Sequence, residues 1–253
     1  MSDQILLKLG GSVITEKDRT ETLDGPTLRS VTEAIGTHYS SSDDLIIVHG
    51  GGSFGHHHAD NHGVTTTSGS SDYRAAMDIH GAMKTLNTFV LDRLHDQSIP
   101  AVPVHPFSVA SRSADGSLDY PVTHIQRLLD EGFVPVTHGD VVAHENQGVT
   151  ILSGDEIIAH FGRALEPDRI GLCSTVPGVL DEEDVVIDQI TAYESVSSVL
   201  GDSSATDVSG GMAAKVKELL SLGHESYIFD PSSIDQFFSA GHPGTRIVSE
   251  NFK

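Results

Sequence analysis

Four apolar, strand-like runs in this chain give way to glycine at their carboxyl ends, and this limits the fold more than any other feature. The endings are Lys8-Leu-Gly-Gly-Ser12, His49-Gly-Gly-Gly-Ser-Phe-Gly-His56, His138-Gly-Asp140 and Ser153-Gly-Asp155. A further pair, Gly210-Gly211, opens a helix-like run. One glycine pair is an ordinary tight turn. Four at equivalent points describe a sheet that delivers bare backbone to one edge, and in an open α/β sheet ligands bind in the crevice outside the carboxyl ends of the strands. Glycine lets backbone N–H groups approach an anion, and a helix starting there adds a favourable field. The GxxxxGK[ST] phosphate loop is absent, so phosphate binding must use another arrangement.

Strand-like and helix-like runs alternate throughout, the pattern of an α/β fold with a mainly parallel sheet covered by helices. Strands are expected over Ile5–Leu9, Leu45–His49, Ala101–Val104, Phe133–His138, Arg169–Ser174, Val185–Ile187, Ser226–Asp230 and Thr245–Val248, with another ending at Ile151–Asp155. Asp24 caps a helix that carries Pro26 in its first turn and runs to about His38. Further helices are expected over Asp72–Gln97, Thr123–Glu131 (closed by Gly132), from Asp155 to about Leu165, Gly210–Leu222 and Ser232–Ser239. The longest is apolar on more than one face, through Ile79, Met83, Leu86, Phe89, Val90 and Leu94, so it is expected to be well buried. The polar stretch Ser111–Tyr120 reads as a hairpin or loop. A turn at Glu166-Pro167-Asp168 divides a single domain, 1–253, into lobes 1–165 and 166–253.

Charge narrows the function. Asp and Glu number 36 against 15 Lys and Arg, a formal net charge of −21. Such a surface repels nucleic acid and anionic membranes. It also strains the compact state by self-repulsion unless salt screens it, which points to a salt-rich, halophilic cytoplasm. No apolar run approaches the roughly 20 residues of a membrane span, and Met1-Ser2-Asp3-Gln4 has no basic leader, so a soluble cytoplasmic chain is expected. The single cysteine, Cys173, reads as a buried small hydrophobe. Lysine is scarce, so Lys8, Lys17 and Lys215 near glycine-rich segments are stronger anion-binding candidates than usual.

In order along the chain, Lys8-Leu-Gly-Gly-Ser12, the strand ending His-Gly-Gly-Gly, and Asp207-Val-Ser-Gly-Gly-Met-Ala-Ala-Lys215 resemble the marks of the amino-acid-kinase superfamily. His49-Gly-Gly-Gly-Ser-Phe-Gly-His56 is similar to the signature of the isopentenyl phosphate kinases, and fosfomycin kinases carry something like it. The resemblance implies a three-layer αβα sandwich, an acceptor-binding lobe 1–165, a nucleotide-binding lobe 166–253, ATP with Mg²⁺, and commonly a homodimer. It implies that Lys8 touches the transferring phosphoryl group and that Gly10, Gly11 and Ser12 hug the ATP phosphates, with Lys17 nearby. Gly51 and Gly52 line the gap between donor and acceptor, His56 holds the acceptor phosphate of isopentenyl phosphate, and Gly139 lies on the substrate side. Asp155 orients the lysines, though it could equally be a helix N-cap. Gly210 and Lys215 bind nucleotide phosphates, and Ser174 belongs to the nucleotide site. Thr175 stands where the superfamily often has Asp, which leaves nucleotide preference open. No metal site is expected of protein ligands, because the adjacent His56, His57 and His58 point in different directions. Tyr73, Met77, His80 and Met83 are candidates to wall an isoprenoid slot. Two rivals stay open: another kinase of this fold, acting on fosfomycin or a carboxylate, and a nucleotide-binding sensor or storage protein without turnover.

Overall fold

The computed structural model describes residues 3–41, 43–200 and 211–249. In chain order the first half contains β1 (Gln4–Leu9), α1 (Gly11–Ile14), α2 (Gly25–His38), β2 (Asp44–His49), α3 (Gly52–His62), α4 (Tyr73–Asp96), β3 (Ala101–Pro103) and α5 (Pro106–Val109). Then come β4 (Ser111–Arg112), β5 (Leu118–Asp119), α6 (Thr123–Asp130), β6 (Val134–His138), β7 (Asp140–His144), β8 (Gly148–Leu152) and α7 (Gly154–Leu165). The second half contains β9 (Arg169–Cys173), β10 (Gln189–Ile190), α8 (Ser197–Leu200), α9 (Gly211–Leu222), β11 (Ser226–Phe229), α10 (Ile234–Phe238) and β12 (Thr245–Ile247).

Eight strands form the central sheet in the order β10-β12-β11-β9-β1-β2-β6-β3, parallel except where β11 meets β12. Side chains alternate across a strand, so β1 feeds both faces. Leu7 and Leu9 enter one core with Leu28, Ile35, Leu86 and Val90 of α2 and α4. Leu6 enters the other with Ile157, Phe161, Val216 and Leu219 of α7 and α9. These are the three layers expected from sequence. Lys8 shares a face with Leu6 and therefore meets the start of α7. The expected helix 24–38 is present: Asp24 accepts a hydrogen bond from Thr27 N–H at 3.0 Å.

The two lobes share one sheet, because β1 pairs with both β2 and β9. The strand expected at Val185–Ile187 is displaced. Val185 is exposed and only a single bridge joins Leu180 to Val186, while Gln189 and Ile190 find partners in Arg246 and Ile247. A second sheet, β5-β4-β7-β8, is an addition to what the sequence suggested. The stretch 111–120 supplies β4 and β5 as a hairpin. Strand β7 continues from the glycine ending at Gly139 and turns back through Asn146, at φ 65°, into β8.

Candidate active site

The glycine endings of β1, β2, β6 and β8 converge on one open cleft. Lys8, Gly10, Gly11, Ser12, Lys17, Gly51, Gly52, His56, Gly139, Asp155, Ser174 and Lys215 all line it. Gly210 lies outside the described residues, as does Asp207. Helices α3 and α7 begin at the cleft, where Gly52 and Gly154 line it, and their positive ends favour an anion there.

The glycines serve packing as well as any ligand. The β1 and β2 loops press backbone against backbone. A Cβ on Gly11 would lie 2.2 Å from the Gly52 nitrogen, and one on Gly50 would lie 2.6 Å from the Gly11 nitrogen. Gly52 has φ +49°, and a Cβ there would meet Thr15 Oγ1 at 2.1 Å. Thr15 Oγ1 in turn accepts a hydrogen bond from Ser53 N–H at 3.0 Å. The two loops that border the cleft are thus locked together.

Two cations and one anion form the charged centre. Lys8 Nζ lies 2.6 Å from Asp155 Oδ1, and Lys215 Nζ lies 3.6 Å from Asp155 Oδ2. Burial alone would push the Asp155 carboxyl up, but the two ammonium groups hold it below the usual carboxylate range. Burial, helped by the Lys215 charge, drives the Lys8 pKa down against the pull of Asp155. One positive charge is left in excess, and a phosphate would complete it. Gly154 makes room for this: a Cβ there would lie 3.2 Å from Lys8 Cε. Asp155 does not cap the helix. Ser153 does, accepting from Glu156 N–H while Glu156 returns a bond to the Ser153 N–H, which frees Asp155 for the lysines. Lys17 reaches the cleft rim from an exposed loop.

On the other side stands half-buried His56, in the first half of α3. Its neighbours diverge. His57 lies 3.0 Å from Asn61, and His58 lies 2.5 Å from Glu21. Among the described residues, no group of three or more His, Cys, Asp or Glu is placed to hold a metal ion. Ala59, Ile79, Met83 and Ile151 give this side an apolar wall. Of the four wall candidates from sequence, only Met83 stays. Tyr73 and Met77 are 69% and 53% exposed, outside the cleft lining, and His80 is bonded to Asp140 at 2.8 Å. Ile79 was hidden among the core positions of α4, and Ala59 and Ile151 reach the wall only through tertiary packing. Cys173 lies on the floor, where burial pushes its thiol up to about 12.

Behind the glycine loops lie two fully buried histidines, His49 and His138. Burial pulls their pKa values down, to about 4 and about 3 respectively. The folded protein therefore keeps both neutral where an unfolded chain takes up protons near pH 6.5. Their stabilisation is complete above about pH 6.5 and is lost progressively as pH falls toward their folded values. Unfolding free energy should drop by roughly 2 kcal/mol for each imidazole between about pH 7.5 and about pH 5. Carboxylates held low, such as Asp155, lose their share only below this window. Urea titrations at fixed high salt measure the slope, and a flat profile would show that both rings titrate normally.

The sequence profile of the amino acid kinase family matches residues 3–229. An isopentenyl phosphate kinase of Haloferax volcanii is 50% identical, covering 97% of this chain and 99% of the relative. One from Methanothermobacter thermautotrophicus is 34% identical, covering 98% of this chain and all of the relative. Among solved structures, one described as "X-ray structures of isopentenyl phosphate kinase" superposes with a TM-score of 0.82 at 31% identity, covering 97% of this chain and 100% of that one. The chain belongs to the amino acid kinase family, within the group of the isopentenyl phosphate kinases.

Proposed function

We propose that this chain transfers the γ-phosphoryl group of ATP to isopentenyl monophosphate, giving isopentenyl diphosphate for isoprenoid synthesis by a mevalonate route. The observation that carries this is the cleft's two-sided build. Lys8, Asp155 and Lys215 form a net-positive centre on one side, and His56 stands with an apolar wall on the other. Phosphoryl transfer requires positioning and charge neutralisation more than covalent help. A phosphate monoester has a second pKa of about 6, so its attacking oxygen is already ionised near neutral pH and no general base is needed. Lys8, Lys17 and Lys215 neutralise charge on the transferring group, His56 holds the acceptor phosphate, and the wall takes the five-carbon tail. Gly10, Gly11, Ser12 and Ser174 border the nucleotide side, with Gly210 assigned there from the sequence alone; Gly51, Gly52 and Gly139 border the acceptor side. In this division residues 1–165 are the acceptor lobe and 166–253 the nucleotide lobe. A bound Mg²⁺ supplies neutralisation of the nucleotide phosphates. Asp155 is engaged by two lysines, so the ion would be carried on phosphate oxygens and water.

The test is ADP release by the purified protein with isopentenyl monophosphate, fosfomycin and N-acetylglutamate as acceptors. Rapid turnover with the first alone is expected, and equal or better use of either other acceptor would overturn the assignment. Run across KCl concentrations, the same assay examines the acidic surface. Raising salt from about 0.1 M to about 1 M shortens the Debye length from about 10 Å to about 3 Å, so activity and folding should both rise. Full activity in dilute buffer would remove the inference of a salt-rich cytoplasm from the charge of −21.

A further inference from the structure

Two neighbouring strands enter the cleft with the same ending, His then Gly. His49 of β2 stands opposite His138 of β6 in register, and the two rings stack with centroids 5.2 Å apart. Each imidazole folds onto the carbonyl of the glycine that follows it. His49 Nδ1 lies 3.1 Å from the Gly50 oxygen, and His138 Nδ1 lies 2.9 Å from the Gly139 oxygen. A carbonyl only accepts, so Nδ1 carries the proton in both rings. The remaining nitrogen is then a bare acceptor that needs a donor. Asn87 Nδ2 lies 3.1 Å from His49 Nε2, and His105 Nδ1 lies 2.8 Å from His138 Nε2. One assignment, both rings neutral and protonated at Nδ1, satisfies every one of these contacts. Burial, which depresses both pKa values, favours the same state. The charged and titratable groups packed around the pair are His80 and Lys84 of α4, His105, and Asp140.

None of His49, Asn87, His105 and His138 lines the cleft, whereas Gly50, Gly51, Gly139 and Asp140 do. In a trans peptide the carbonyl and the following N–H point opposite ways. Drawing the Gly50 carbonyl back onto His49 therefore aims the Gly51 N–H away from the buried ring and toward the cleft. Glycine cannot hold such a peptide in one orientation by itself. The two endings are also joined to each other, since Gly139 N–H donates to the His49 carbonyl at 2.9 Å.

We propose that His49 and His138 are positioning residues, their tautomers set by Asn87 and His105: His49 fixes the Gly50 peptide so that the Gly51 N–H faces the phosphoryl group in transit, and His138 holds the adjoining Gly139 ending that is bonded to it. This deepens the kinase assignment and rests on it for the identity of the ligand. An asparagine amide nitrogen can occupy the place of Nδ1, while a glutamine amide reaches only toward the place of Nε2. His49→Asn should therefore retain at least about 10-fold more kcat than His49→Gln, and KM for ATP and for isopentenyl monophosphate should change by less than about threefold in both. A merely structural histidine would give equal kcat in the two variants, or losses that track thermal stability, and either result overturns the proposal.

A second measurement does not depend on turnover or on a foldable variant. Nitrogen-15 spectra of the imidazoles in the whole wild-type protein should show two neutral rings protonated at Nδ1, unchanged from about pH 8 to about pH 5. If those rings titrate in that range, or carry their proton on Nε2, the clamp is wrong. If the wild type fails to use isopentenyl monophosphate, the kinase assignment falls, and the spectra still decide the clamp.

Discussion

Replacing Lys8 by Met is expected to lower kcat by roughly 100-fold or more, with KM for ATP changed by less than about fivefold. The asymmetry follows from where the charge sits. Lys8 Nζ is held at 2.6 Å by Asp155, with its stem in the sheet and its Cε against Gly154. It cannot swing out to follow a substrate, so its field is fixed in place before the reaction. A fixed charge acts most on the state in which charge develops, and in the proposed reaction Lys8 faces the oxygens of the transferring phosphoryl group. In the proposed site the ground-state nucleotide keeps Lys17 and Lys215, which also line the cleft. Methionine fits the buried stem, and Asp155 keeps Lys215 at 3.6 Å, so the fold should survive; far-UV circular dichroism and nucleotide binding check that. Lys8→Arg should rescue poorly, because a planar guanidinium cannot place its charge where the compact ammonium sits against Asp155. Near-normal kcat in the methionine variant would remove Lys8 from the chemistry.

Much of this site was legible because local chemistry and tertiary position agree. The apolar run before Lys8 and the glycines after it mark a strand that ends at an open sheet edge, and β1 ends at the cleft. Asp24 with Pro26 marks a helix start by the same local rules in sequence and in space. What escaped depends on partners far away in the chain. For Asp155 the sequence leaves two roles open, orienting the lysines or capping the helix, and only the capping box of Ser153 and Glu156 removes the second. Strand β7 carries only the short run Val141-Val-Ala143, which does not stand out as a strand until β8 folds back on it. Tyr73 and Met77 are linked to Met83 through His80 at steps of three or four, but they occupy the first turns of α4, where both stay largely exposed. Gly50, Gly52 and Gly55 fall at the GxGxxG spacing of a dinucleotide fingerprint, a weak signal alone. Here Gly52 is required by Thr15 and Gly11, and a Cβ on Gly55 would lie 2.8 Å from Met83 Sδ. His49 and His138 read as strand ends, and nothing local announces that each ring bends onto the next carbonyl.

His56→Ala should lower kcat/KM for isopentenyl monophosphate by about 10- to 100-fold, because a charge-assisted hydrogen bond from the imidazole to a phosphate is worth roughly 1.5–3 kcal/mol. The side chain is half-buried in the first half of α3, near the helix start where N–H groups also favour an anion, and the apolar wall of Ala59, Ile79 and Met83 lies beside it. A ligand with a phosphate at one end and a branched alkene at the other matches that pairing, and one with a hydroxyl in place of the phosphate does not. The parent alcohol, isopentenol, should therefore be a poor acceptor for the wild type, and His56→Ala should hardly change its use. His56→Gln keeps a donor and should lose less than His56→Ala. His57→Ala and His58→Ala should stay within about threefold of wild type, since their partners Thr20, Asn61 and Glu21 are exposed and exposed pairs contribute little. The four variants assayed with both acceptors separate two cases that activity loss alone would merge. A His56 needed only for folding would lower use of both acceptors together, whereas a His56 that reads the acceptor phosphate lowers only the monophosphate reaction. Equal wild-type use of alcohol and monophosphate would place the acceptor phosphate somewhere other than His56.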